Sequence, residues 1–65
     1  MSKAEAIKAT GYTEEQLIVL GMISMKQQMV KARNESSDIE SWDHYDRLVK
    51  AYTKMITERE HILHE

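Results

Sequence analysis

From Thr13 to its last residue, the 65-residue chain offers a helix one place to break, the polar run Asn34-Glu35-Ser36-Ser37-Asp38. There is no proline, the residue that stops a helix by removing a donor and clashing with the preceding turn, and the only glycines are Gly11 and Gly21. On both sides of the break, apolar residues recur every three or four positions, which is the period of one helix face. A connection this short folds the second helix back antiparallel to the first. The expectation is therefore all-α: a hairpin of two long helices, at about 13–33 and about 38–63, behind a short N-terminal helix at about 3–10.

The start signals agree with these bounds. In Thr13-Glu14-Glu15-Gln16 the threonine hydroxyl can take the amide of the third helical residue while Gln16 reaches back to the cap amide, a capping box. Tyr12 and Leu17 are spaced for the accompanying hydrophobic staple, and Glu14 and Glu15 suit the positive end of the helix dipole. Ser37 with Glu40 and Ser2 with Glu5 repeat the capping-box spacing, with Ser37 or Asp38 capping the last helix, and Gly11 is placed to end the first helix left-handed. Lys31 and Arg33 suit the negative end of the second helix.

Within the first long helix, Ile18, Met22, Met25, Met29 and Ala32 alternate spacings of four and three and read as a heptad-like seam. Tyr45, Leu48, Val49, Tyr52, Met55 and Ile56 form the facing stripe, which Arg59 interrupts before Ile62 and Leu63. Leu17, Val19, Leu20, Ile23 and Val30 lie outside that seam, so one partner helix cannot cover every apolar group. Gly21, Ser24 and Gln28 on the other flank would allow another helix to approach closely. The last helix, roughly 40 Å long against roughly 32 Å for its partner, is expected to overhang it and leave Ile62 and Leu63 in need of cover.

Size sharpens the point. A chain this short buries about 60% of its unfolded surface and is marginal alone. With no cysteine, it has neither disulfides nor thiolate metal sites as a supplement. A single domain spanning 1–65 that assembles with itself into a dimer or larger bundle is the expectation, with a second protein as a further partner. Net charge is −2 at pH 7, which gives no general attraction to nucleic acid or to anionic membranes. No apolar run approaches the roughly 20 residues of a membrane span, and the expected location is the cytoplasm.

Little in the chain points to chemistry. It has no Ser/His/Asp order, glycine-rich phosphate loop or His-Glu-x-x-His helix, so neither an enzyme nor a cofactor is expected. His61 and His64 are spaced to share a metal, and His44 stands apart, but a stable zinc site needs three or four ligands, so no metal is expected. Arg47, Lys50 and Lys54 form a basic stripe that Asp43, Asp46 and Glu58 neutralise at helical spacing. The favoured function is a non-enzymatic protein-binding regulator, adaptor or inhibitor, similar in size and style to small inhibitors of bacterial and phage origin. Its expected contact residues are Leu17, Leu20, Ile23, Met25, Trp42 and Tyr45. Glu35, Asp38, Glu40 and Asp43 would add an acidic patch able to mimic nucleic-acid charge toward a basic partner. The alternative is a DNA-binding regulator with a helix-turn-helix-like N-terminal part and a dimerising long helix. It is disfavoured because Glu14 and Glu15 would meet the phosphates.

Overall fold

A computed structural model describes residues 2–64. Among them there are three helices and no strand: α1 (Lys3–Thr10), α2 (Glu14–Glu35) and α3 (Ile39–Leu63). Met1 and Glu65 lie outside the described residues. The helices α2 and α3 pack together as an antiparallel hairpin, whereas α1 has no buried residue and meets the hairpin through a Lys3–Glu14 ion pair of 2.7 Å.

The caps explain the boundaries. At the start of α2 both halves of the capping box are formed: Gln16 N–H donates to Thr13 Oγ1 at 3.1 Å, and Thr13 N–H donates to Gln16 Oε1 at 3.0 Å. Ser2 accepts from Glu5 N–H, and Gly11 ends α1 at φ +79°, a left-handed conformation that glycine adopts without strain. The Ser37–Glu40 box is not formed. Asp38 occupies the cap position of α3 and its side chain makes no capping hydrogen bond.

The seam differs from the expected one. The buried residues of α2 are Gln16 and Val19, and their line continues inward at spacings of three and four through half-buried Ile23, Lys26, Val30 and Arg33, with Met22, Met29 and Ala32 half-buried beside it. Val19 is the most deeply buried side chain, at 1% exposure, while Ile18 is 53% exposed and Met25 39%. The expected stripe is real, but it lies on the flank of α2. The chain contains two overlapping heptad patterns. From the inward one, Arg33 pairs with Asp46 on α3 at 2.8 Å. On α3 the expected stripe holds, with Val49 buried and Tyr45, Leu48, Tyr52, Met55 and Ile56 half-buried around it.

The expected overhang is also absent. Because α2 runs on to Glu35, the two helices have 22 and 25 residues and nearly equal lengths. Gln16, in the first turn of α2, donates from Nε2 to the Ile62 carbonyl at 3.1 Å, which places the end of α3 level with the start of α2. That bond satisfies one of the carbonyls that a helix end leaves unpaired.

Candidate interaction surfaces

Trp42, near the turn end of the hairpin, is positioned by charge. Asp46, only 8% exposed, accepts from Arg33 Nη1 at 2.8 Å across the seam and from Lys50 Nζ at 3.0 Å one turn along α3. The hydrogen bond from Lys50, then that from Arg33, holds the Asp46 carboxyl below its ordinary value, outweighing the opposing effect of desolvation. The Arg33 guanidinium, fixed in this way, lies 5.5 Å from the Trp42 ring centroid, within cation–π distance. The network thus runs Lys50, Asp46, Arg33, Trp42, and it orders a tryptophan that remains 41% exposed. One turn earlier on α3, Ile39 is 77% exposed. Glu35, Asp38 and Glu40 are exposed around the same turn.

A second surface is one broad face of the hairpin. Each residue advances about 100° around a helix, and in an antiparallel pair one flank of each seam opens on the same side. On α2 that flank carries Ile18, Met22, Met25 and Met29; on α3 it carries Leu48, Met55 and Ile62. Glu15, Ile18 and Val19 of α2 line an open cleft of about 230 Å³ together with Arg59 and Ile62 of α3, which fixes the two flanks on one side. Arg59, which interrupts the stripe in sequence, bends back to donate to the Met55 carbonyl at 3.0 Å and lies 3.8 Å from Glu58. Its charge therefore sits at the rim of the cleft. The opposite broad face carries Asp43, Arg47, Lys50, Lys54 and Thr57, with Leu17 and Leu20 on its α2 side and Ile39 at its turn end.

The predicted contact residues therefore divide. Trp42, Glu35, Asp38 and Glu40 gather at the turn end, with Asp43 half-buried beside them and paired to Arg47 at 2.9 Å. Tyr45 is half-buried and edge-on to His44, with ring centroids 5.3 Å apart. Met25 lies on the apolar broad face. Ile23 turns into the seam, and Leu17 and Leu20 are half-buried on the side away from Met25. No single patch contains them all. Sequence reasoning did not single out Ile39, which stands one turn before Trp42, as an exposed group. It also missed the second bond of Gln16, for which only the choice of an amide where a capping box accepts Glu gives a signal.

His44, His61 and His64 are exposed, and no three metal-ligating side chains converge among the described residues. No helix there is long and apolar enough to cross a membrane. Compared with known protein families, curated proteins and solved structures, the chain shows no match.

Proposed function

We propose that this chain is a cytoplasmic, non-enzymatic regulator, adaptor or inhibitor that works by binding another protein at the turn end of the hairpin. The observation that carries the reading is the pair Ile39 and Trp42, two large apolar side chains left open to solvent on the first turns of α3. Tryptophan is enriched among residues that dominate binding energy, and a side chain ordered before binding loses less entropy on contact. The Lys50–Asp46–Arg33 network supplies that order. Exposed Glu35, Asp38 and Glu40 favour a partner whose apolar pocket is ringed by basic side chains.

The test is photo-cross-linking in cells of the source, with a photoreactive residue in place of Ile39. Adducts with another protein are expected from this position. They are expected to disappear when Glu35, Asp38 and Glu40 are all reversed to lysine. No adduct from position 39, or adducts indifferent to the reversal, would overturn the reading.

A further inference from the structure

The hairpin and α1 lie in a single layer. The principal extents are 44 × 26 × 12 Å, and the Cα radius of gyration is 14.8 Å. A compact chain of this length would have a radius of about 10.7 Å. Surface area agrees with this shape. The chain exposes 5026 Å², whereas a compact monomer of 7.6 kDa exposes about 4,300 Å². The surplus of about 700 Å², which belongs to the whole chain with α1 included, is of the order of the roughly 800 Å² that each partner contributes to a stable interface of standard size. Stable domains place at least two layers of secondary structure around a core, and here the second layer is missing.

We propose that a second copy of this chain supplies that layer, with the face of Ile18, Met25 and Met55 docked on its own counterpart so that two hairpins close a four-helix bundle. This goes beyond the turn-end reading and uses a different surface. The face suits self-docking. A two-fold interface sets the same patch against itself, so it must carry no net charge that would be buried against its like. Along its centre this face has isoleucine, leucine and methionine, and its cleft has one anion, Glu15, with one cation, Arg59. Methionine adapts its shape readily and can pack against another methionine without a preformed match. Gly21, at the α2 edge of the face, answers no need within the hairpin, because a Cβ built there would meet nothing within 4 Å. A glycine there lets a second backbone come close. Two hairpins docked in this way bring α2 and α3 of each copy together as the four helices of a bundle.

The test is sedimentation equilibrium of the full chain from low to high micromolar concentration. The expected mass rises from 7.6 kDa to twice that value as concentration increases. Ile18→Lys and Met25→Lys are each expected to weaken association about 30-fold or more, the loss typical of a central interface residue. Lys54→Glu, on the opposite face, is expected to leave it unchanged. Both lysine positions are open to solvent in the hairpin, so helicity by circular dichroism should persist in dilute solution. A single-chain mass throughout would overturn the proposal, as would a dimer indifferent to both lysine variants. Neither result bears on the cross-link from position 39, so the two readings fail separately.

Discussion

Gln16→Glu changes one atom of the side chain, yet its predicted effect depends on whether Gln16 only caps α2 or also ties α2 to α3. As a cap alone, glutamate would serve at least as well. It is a standard partner in the capping box, and a carboxylate in the first turn gains about 0.3–1 kcal/mol from the helix dipole. In the structure, however, Nε2 of Gln16 donates to the Ile62 carbonyl at 3.1 Å, and the residue is only 9% exposed. Glutamate would remove that donor, at about 0.5–1.5 kcal/mol, and leave a part-buried carbonyl unpaired, at about 1–3 kcal/mol. It would also set a negative charge against the negative end of α3, which offsets much of the dipole gain at α2. The net expectation is a loss of about 1–2 kcal/mol at pH 7. For a domain of this size, that lowers the melting temperature by roughly 5–15 °C. Protonation of the new carboxyl would restore a donor, so the difference from wild type at the same pH should shrink as pH falls through about 4–5. Thermal melts followed by circular dichroism at fixed protein concentration measure both effects. A melting temperature equal to or above that of the wild type at pH 7 would refute the reasoning, because it would show that Gln16 acts only as a cap.

Three further outcomes follow from the same structure. Gly21→Ala should raise stability by about 1 kcal/mol in dilute solution, since it removes glycine from an open helix interior and meets no neighbour; a drop in melting temperature there would show contacts that the hairpin lacks. Asp46→Asn should melt below the wild type at neutral pH. Because the folded carboxyl titrates below its ordinary value of 3.8, the stability it contributes is fully present above that value and is lost as pH falls through the lower folded value. The two melting temperatures should therefore converge below pH 3.8, and a gap independent of pH would contradict the ion-pair account. Trp42→Ala should cost about 1–2 kcal/mol through the lost cation–π contact and the buried half of the ring, and unchanged thermal melts would remove Trp42 as an ordered anchor.

Much of the fold was legible because its signals are local. The break, which lies at 36–38 within the expected run 34–38, the capping box at Thr13 and the left-handed Gly11 depend on neighbours in sequence, and the structure forms all three. What was not legible depends on contacts between α2 and α3. Two heptad patterns overlap in α2, and periodicity ranks the Ile18–Met25 pattern above the Val19–Val30 pattern because the inward one contains Gln16, Lys26 and Arg33. Gln16 and Arg33 look like breaks in a seam until the Ile62 carbonyl and Asp46 are seen opposite them. Of the i,i+4 ion pairs expected on α3, Asp43–Arg47 and Asp46–Lys50 are formed, whereas Glu58 lies beside Arg59. Flexible surface side chains choose among near-equal partners, which spacing alone does not rank. At the turn end, Trp42 stands out in the sequence by residue type, but the charge network beside it does not.

Which face of α2 is left open decides both the self-docking proposal and the reading of the seam. Because the chain contains no cysteine, single thiols can report on it directly. The variants Ile18→Cys, Val19→Cys, Ile23→Cys and Met25→Cys would be labelled with a thiol reagent in the native state, at the lowest workable protein concentration. The account predicts fast labelling at positions 18 and 25, slowing as concentration rises, and slow labelling at 19 and 23 throughout. Fast labelling at 19 and 23 with protection at 18 and 25 in dilute solution would contradict it, and would place the methionine stripe between α2 and α3.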